Sequence, residues 1–169
     1  MNRIAKFEKV SYEQFKKDLI KNYRELDEDI IKEIYNDIKL PARATVGSAG
    51  YDFCCPYSVS LTKHFPITIP TGIRVKIENG WKLDLLPRSS MGFKHGIRLA
   101  NTVGLIDSDY YYSDNEGHIM AKLRTDEIEK INLTQGTAFI QGVFTPFGIT
   151  TDDNVNSIRN GGIGSTDTK

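Results

Sequence analysis

Arginine, hydroxyl and carboxylate side chains near the middle of the chain have the types and spacing for chemistry on a phosphate ester. Arg88, Ser89 and Ser90 directly follow an apolar segment. A guanidinium offers a rigid fork of donors, and serine hydroxyls add short donors that suit phosphate oxygens. Asp107 lies beside Ile106 in a later apolar segment. Because a carboxylate repels phosphate, its occurrence near phosphate-binding donors indicates that it handles water or a metal ion.

The segment 101–110 has the features of a ligand-binding turn. Asn101 and Thr102, followed by Gly104, predict a tight hairpin whose backbone faces a flat polar ring. Tyr110 offers an aromatic face for a sugar. A core tyrosine and a turn aspartate remain the structural alternatives for Tyr110 and Asp107.

Three further segments place polar groups beside turns. Residues 48–52 end a turn with the carboxylate of Asp52, which alone is typical of local hydrogen bonding. Gln141 lies in an otherwise apolar strand, where an unpaired amide is costly to bury. Residues 159–166 combine Arg159 with glycines and hydroxyls, and glycine lets a backbone approach an anion closely. A plain flexible end is the alternative for this last segment.

Short strands must position most of these residues. Apolar runs separated by Gly, Pro, Asn and Asp predict strands at 51–55, 58–61, 73–77, 82–86, 118–123, 128–133 and 138–145. Many short strands at such spacing are typical of an all-β sandwich or barrel.

The first part of the chain has a helical pattern instead. Ser11 and Gln14 have the spacing of a capping box, and apolar residues then recur at helical intervals. A second stripe follows Asp27, and Pro41 ends it. We therefore expect a helical extension packed on the core at 1–39, a β domain at 40–150 and a flexible, glycine-rich arm at 151–169.

Composition limits the classes of partner. The 169 residues contain 22 basic and 22 acidic side chains, so the net charge gives no reason to expect nucleic acid or an anionic membrane. Cys54 and Cys55 are adjacent and unsuited to bond each other, which fits a reducing compartment. The sequence has neither an apolar signal core nor a run of membrane length, and we expect a soluble cytoplasmic protein.

Taken in order, the five polar segments resemble the five motifs of the homotrimeric dUTPases (dUTP nucleotidohydrolases). The match spans about 40–166 and is strongest at 48–52, at 87–89 with 94–96, and at 104–110. The resemblance implies a jelly-roll-like distorted β-barrel of the dUTPase-like, β-clip type, whose trimer builds each active site from three subunits. It also implies Mg²⁺-dependent hydrolysis of dUTP to dUMP and pyrophosphate, which cleanses the nucleotide pool and supplies a dTTP precursor.

The resemblance assigns a role to each matching residue. Asp107 would activate water for in-line attack on the α-phosphorus, and Tyr110 would pack on deoxyribose and exclude a 2′-hydroxyl. The uracil pocket would comprise Asn101, Leu105, Ile106 and Met120. The phosphates would be held by Arg88, Ser89, Ser90 and Gln141, and covered by an arm comprising Arg159, Gly161, Gly162, Ile163, Gly164, Ser165 and Thr166. Mg²⁺ would be held mainly by triphosphate oxygens and water, with Asp52 at most in its outer shell.

The chain also departs from the family pattern. Ile163 takes the place of an aromatic residue that usually stacks on uracil, which predicts weaker closure of the arm. Residues 111–115 are inserted after Tyr110, Ser90 replaces a glycine, and residues 137–139 replace a common charged pair. The helical N-terminus has no counterpart in the minimal family domain.

Two alternatives stay open on the same scaffold. A dCTP deaminase would need a glutamate base on the strand at 118–124, where Lys122 stands and cannot accept a proton. A trimeric regulatory or binding protein that has lost catalysis need not retain Asp107, Arg88 and Arg159 together. A dimeric all-α dUTPase is excluded by the strand-rich body.

Overall fold

The structure is a computed structural model that describes residues 2–23, 26–157, 159 and 161. Short strands dominate these ranges, in agreement with the predicted all-β class. The elements in chain order are β1 (Ala5–Lys9), α1 (Tyr12–Asn22), α2 (Glu28–Asp37), β2 (Ala42–Arg43), β3 (Tyr51–Cys54), β4 (Val59–Thr62), β5 (Ile67–Pro70), β6 (Ile73–Ile77), β7 (Trp81–Pro87), α3 (Ser89–His95), β8 (Ile97–Leu99), β9 (Gly104–Ile106), a 3₁₀ helix (Ser108–Tyr112), β10 (Met120–Thr125), β11 (Lys130–Leu133) and β12 (Ala138–Pro146).

The strands of the described residues form four small antiparallel sheets. The largest has the order β2-β3-β12-β7-β9, and the others are β5-β10-β8, β1-β6 and β11-β4. Alternation decides which face of a strand is buried. In β6, Ile73, Val75 and Ile77 are buried, whereas Lys76 is exposed. The sheets therefore enclose one apolar core, as a jelly-roll-like domain requires.

The N-terminal extension is a strand followed by two helices. Strand β1 was not predicted from the sequence, and it pairs antiparallel with β6. Ser11 caps α1 by accepting the Gln14 N–H at 3.1 Å, but the reciprocal half of the predicted capping box is not formed, because the Ser11 N–H donates to Glu116. Asp27 caps α2 in the same way through the Asp29 N–H. The helices contribute Phe15, Leu19 and Ile31 to the core, and all three are fully buried.

The connection from β8 to β9 differs from the predicted hairpin. β8 pairs with β10, whereas β9 pairs with β7, so the turn at 101–103 joins two different sheets. Thr102 adopts a positive φ of 67° in this turn. A Cβ on Gly104 would lie 3.0 Å from the Leu85 Cβ, so a glycine lets β9 approach β7 closely.

Neither cysteine of the chain takes part in a disulfide. Cys54 and Cys55 are both free thiols, as their adjacency predicts. Burial raises the pKa of the Cys55 thiol to about 12, so this group is a core side chain and not a nucleophile. None of the helices in the described ranges is long and apolar enough to cross a membrane.

Candidate active site

One polar cluster forms where β3, β12 and β7 lie side by side. Gln141 of β12 is opposite Asp52 of β3 and opposite Leu86 of β7. The Arg88 Nε lies 3.1 Å from Asp52 Oδ1. The Gln141 side-chain amide donates to the Pro87 carbonyl at 3.3 Å. The structure thus brings together three residues that come from separate predicted segments.

In the turn that precedes β3, the backbone of Gly50 lies close to the Gln141 side chain. A Cβ on Gly50 would lie 2.5 Å from Gln141 Oε1. Glycine at this position leaves room for the glutamine amide beside the Asp52–Arg88 pair. The predicted role of residues 48–52 as a turn at the site therefore has a specific packing reason.

Ser89 and Ser90 form the first turn of α3, which was not predicted from the sequence. Arg88 is the residue before the helix, and its side chain makes no capping hydrogen bond. The Arg88 side chain keeps 38% of its surface exposed, and Ser89 is exposed as well. A guanidinium and hydroxyl donors on one open surface can bind an anion with several oxygens.

A second cluster begins where β9 ends. Asp107 follows β9 directly and precedes the 3₁₀ helix Ser108–Tyr112. Its carboxylate is 40% exposed, so it lies at the surface and does not point into the core. Tyr110 is buried, and its hydroxyl donates to the His118 carbonyl at 2.8 Å.

Arg159 of the same chain covers this second cluster. Its Nη2 lies 2.5 Å from Asp107 Oδ2, and its Nε lies 2.9 Å from Asp109 Oδ1. Its Cζ lies 5.8 Å from the centroid of the Tyr110 ring. One guanidinium thus bridges two carboxylates over an aromatic face, in the segment that the sequence predicts to be a phosphate-covering arm.

The residues predicted for the uracil pocket lie on β9, in the turn before it and at the start of β10. Leu105 and Ile106 belong to β9, and Leu105 is exposed. Asn101 lies in the exposed turn that leads into β9. The Ala100 N–H donates to the Lys122 carbonyl, and continuing this pairing brings Met120 alongside the turn. Leu105 and Ile106 directly precede Asp107, whereas the turn that carries Asn101 enters β9 at its other end.

The two clusters do not meet within one chain. Ile106 pairs with Leu83 near the start of β7, whereas Arg88 follows its other end. At about 3.3 Å per strand residue, the backbones of Arg88 and Asp107 are roughly 15–20 Å apart. A single chain therefore presents phosphate-binding donors and the Asp107 carboxylate on separate parts of its surface.

The remaining predicted site residues cannot be assigned to either cluster. Gly161 is described and half-buried. Gly162, Ile163, Gly164, Ser165 and Thr166 lie outside the described residues. Within the described ranges, no group of three or more His, Cys, Asp or Glu side chains could hold a metal ion.

Sequence reasoning did not single out three residues beside the second cluster. Asp109 shares Arg159 with Asp107. Asn115 donates to the Tyr110 hydroxyl at 2.8 Å. His118 is fully buried and hydrogen-bonded to Asp18 of α1. The proximity of Asp109 to Asp107 can be read from the sequence. The contact between Asp18 and His118 cannot, because these residues are 100 positions apart in the chain.

Comparison with known proteins identifies the family of this chain. The family model dUTPase matches residues 36–168. Deoxyuridine 5'-triphosphate nucleotidohydrolase of Lactococcus lactis subsp. lactis is 39% identical over 132 residues, which cover 76% of this chain and 88% of the relative. The solved dUTPase of Streptococcus mutans is 31% identical with a TM-score of 0.63, over 85% of this chain and 97% of that chain.

A mutant dUTPase from phage phi11 of S. aureus shares the fold, with a TM-score of 0.59 at 19% identity over 70% of this chain and 90% of that chain. Its description names a structural Mg(II) ion. The family match includes every residue of both clusters and begins after α1. This chain belongs to the dUTPase family.

Proposed function

We propose that this chain hydrolyses dUTP to dUMP and pyrophosphate, with Asp107 as the base that activates water. The observation that carries the proposal is the position of Asp107. Its half-exposed carboxylate follows β9 directly, one helical turn before Tyr110 and in contact with Arg159. A positioned general base of this kind contributes about 10²–10⁴ in rate.

The surroundings of Asp107 suit a deoxyuridine. The main chain of β9 and the turn at 101–103 would offer donors and acceptors to the uracil edge, with Met120 against the ring. Tyr110 is buried against the protein, and its hydroxyl is engaged by Asn115 and the His118 carbonyl. A ring held in this way cannot move aside, so a 2′-hydroxyl would collide with it.

We propose that the triphosphate is held by the Arg88 cluster, comprising Arg88, Ser89, Ser90 and Gln141, together with the arm that carries Arg159. Arg159 can exchange its two carboxylate partners for phosphate oxygens, which accept the same forked donors. This exchange would free the Asp107 oxygen for water as the triphosphate arrives.

We further propose a homotrimer with shared active sites. The separation of Arg88 and Asp107 along β7 supports this proposal, because Arg88 also contacts Asp52 of β3, on the side of β7 away from β9. A neighbouring subunit would bring its Arg88 cluster to the Asp107 of the first, beside which the first chain's own Arg159 lies. Phe93, next to the cluster on α3, is 94% exposed, as expected of a side chain that another subunit covers.

Mg²⁺ fits this site only as part of a complex with the nucleotide. The described residues offer no set of protein ligands for it, and Asp52 is already paired with Arg88. Mg²⁺ keeps several waters and commonly binds phosphates, so Asp52 would be an outer neighbour. When bound, the ion neutralises charge on the triphosphate and orients its oxygens.

Deamination of dCTP receives no support from the structure. Lys122 is exposed in the middle of β10, in the place that the resemblance assigns to the glutamate base of a deaminase. An ammonium cannot take a proton from water.

A nucleotide panel tests the proposed reaction. The protein is incubated with Mg²⁺ and dUTP, dCTP, dTTP or UTP, and pyrophosphate and ammonia are measured. We expect pyrophosphate from dUTP alone, and in H₂¹⁸O the label should enter dUMP because water attacks the α-phosphorus. Ammonia from dCTP, label in pyrophosphate, or no cleavage of dUTP by an assembled trimer would overturn the proposal.

A further inference from the structure

A buried polar link connects α1 to the loop that follows Tyr110. The His118 side chain is fully buried, and its Nδ1 lies 2.6 Å from Asp18 Oδ2. The Gly72 N–H donates to His118 Nε2 at 2.8 Å. Because Nε2 accepts this bond, the ring hydrogen is on Nδ1 and is donated to Asp18. Asp18 also accepts the Gln14 side-chain amide at 2.7 Å.

The same histidine holds Tyr110 through its main chain. The Tyr110 hydroxyl donates to the His118 carbonyl at 2.8 Å, and Asn115 donates to that hydroxyl at 2.8 Å. The Tyr110 hydroxyl thus connects two positions of the loop 111–118, the Asn115 side chain and the His118 carbonyl. One of the loop's side-chain anchors on the rest of the protein is the His118 imidazole between Gly72 and Asp18.

Two further contacts join the extension to the same loop. The Ser11 N–H and hydroxyl donate to the Glu116 carboxylate at 2.7 and 2.6 Å. The Tyr111 hydroxyl donates to Glu8 at 2.6 Å, and Arg74 lies over the Tyr111 ring. Glu8, Ser11 and Asp18 precede the range that matches the family, which begins at residue 36. Through Glu8 and Tyr111, strand β1 contacts the segment 111–115, which the resemblance marks as an insertion.

We propose that Asp18 is a positioning residue for Tyr110, and that the N-terminal extension thereby sets how strongly the site rejects a 2′-hydroxyl. The proposal rests on the proposed function, in which Tyr110 packs on deoxyribose. Asp18 fixes the His118 imidazole, His118 fixes the loop, and the loop fixes the ring. Exclusion of a hydroxyl by contact requires a ring that cannot shift, and displacements of about 1 Å can change rates by up to roughly 10²-fold.

A purely structural role for α1 makes a different prediction. Helix α1 also packs Phe15 and Leu19 into the core, so any variant that loosens it would lower stability. Loss of stability alone reduces the amount of active enzyme and affects dUTP and UTP equally. The ratio of kcat/KM for dUTP to kcat/KM for UTP separates the two roles.

The test measures that ratio for the wild type, Asp18→Ala and Asp18→Asn. Glu13→Ala removes an exposed carboxylate from the same helix, and Leu19→Val loosens the helix without touching the polar link. We expect Asp18→Ala to lower the ratio roughly tenfold, chiefly by admitting UTP, with partial rescue by Asp18→Asn, whose amide oxygen still accepts from His118. Both controls should keep the wild-type ratio.

Asp18→Ala leaves the buried Nδ1–H without an acceptor, which can prevent folding. Asn115→Ala is therefore measured as well, because it removes a hydrogen bond to the Tyr110 hydroxyl at a half-buried position. The dUTP-to-UTP ratio of kcat/KM is compared with wild type in the same way. An unchanged ratio in folded Asp18→Ala, or in Asn115→Ala and Asp18→Asn together, would overturn the proposal. An equal fall in Leu19→Val would also overturn it. Failure of the proposed function would instead appear as a wild type that does not cleave dUTP.

Discussion

The Arg159 guanidinium lies 2.5 Å from the Asp107 carboxylate within one chain. The same guanidinium also contacts Asp109, so the arm is held at the second cluster by charge-assisted bonds. The bond occupies Asp107 Oδ2, and the carboxylate has a second oxygen that can meet water. In the proposed mechanism, arrival of the triphosphate transfers Arg159 from the two carboxylates to phosphate oxygens.

This transfer predicts the effect of replacing Arg159. Removing one donor that stabilises developing charge typically costs about 10²–10³ in rate, so Arg159→Gln should lower kcat/KM for dUTP by that order. Arg159→Lys should recover only part of the loss, because an ammonium lacks the fork that spans two oxygens. Steady-state pyrophosphate release measures both variants. Wild-type kcat/KM in Arg159→Gln would contradict a role for this arginine in catalysis.

The separation of Arg88 from Asp107 predicts complementation between inactive subunits. Arg88→Ala and Asp107→Asn should each be inactive alone, but trimers refolded from an equal mixture should regain about one quarter of the wild-type sites. Each restored site combines the intact Arg88 of one subunit with the intact Asp107 of its neighbour. Activity after refolding is the measurement.

The control for this experiment mixes Arg88→Ala with the double variant that carries both changes. This mixture contains no intact Arg88 and should stay inactive. No activity in the first mixture, despite trimers of normal mass, would mean that each chain builds its own site.

Gly50 provides a test of the Arg88 cluster that separates binding from stability. The methyl group of Gly50→Ala would meet the flexible end of Gln141, so the amide should move while the backbone stays in place. The displaced Gln141 amide would lose its proposed hydrogen bond to the substrate. We therefore expect kcat/KM for dUTP to fall roughly tenfold, mainly through KM. The melting temperature should change little. Gly47→Ala, where a Cβ meets nothing within 4 Å, is the matched control.

Much of the fold was predictable where the signal is local. Ser11 and the apolar periodicity after it predicted α1, and alternation predicted β6 over Ile73–Ile77, where the structure has it. Strand β1 was missed because its five residues include two exposed ones and depend on pairing with β6. The hairpin prediction at 101–104 was wrong because the partner of each strand is decided by the whole core, and not by the turn between them.

For the site, too, the sequence predicts what depends on neighbouring residues and does not predict contacts between distant ones. Linear motifs were sufficient to nominate Arg88, Asp107 and Tyr110. Their distribution over two clusters depends on strand register, which the sequence does not display. The link from Asp18 to His118 joins residues 100 positions apart, and a lone aspartate and a lone histidine carry no signal that pairs them.

The contacts of the extension predict a loss of stability in acid. Hydrogen bonds from Lys6 and Tyr111 lower the pKa of Glu8 to about 2. Burial opposes ionisation of Asp18, but hydrogen bonds from His118 and Gln14 outweigh it and lower the pKa of this carboxyl as well. Carboxylates with a lowered folded-state pKa stabilise the protein above their unfolded pKa of about 4, and this contribution disappears as the pH falls through the folded value.

Urea unfolding at pH 7 and pH 3 measures this effect for Glu8. We expect Glu8→Gln to lower the free energy of unfolding at pH 7 by no more than about 1 kcal/mol, because the pair is partly screened by solvent. The difference from wild type should shrink at pH 3. Glu13→Gln, an exposed change in α1, should give no such dependence. A constant difference at both pH values would contradict the assignment.

The central claim is that the Asp107 carboxylate activates water against bound dUTP. Single-turnover pyrophosphate release by wild type and Asp107→Asn, with dUTP binding measured in parallel, tests it most directly. Asparagine keeps the size of the side chain but cannot take the proton, so we expect dUTP still to bind while the rate falls by at least about 10². A rate in Asp107→Asn within a few-fold of wild type would contradict the claim.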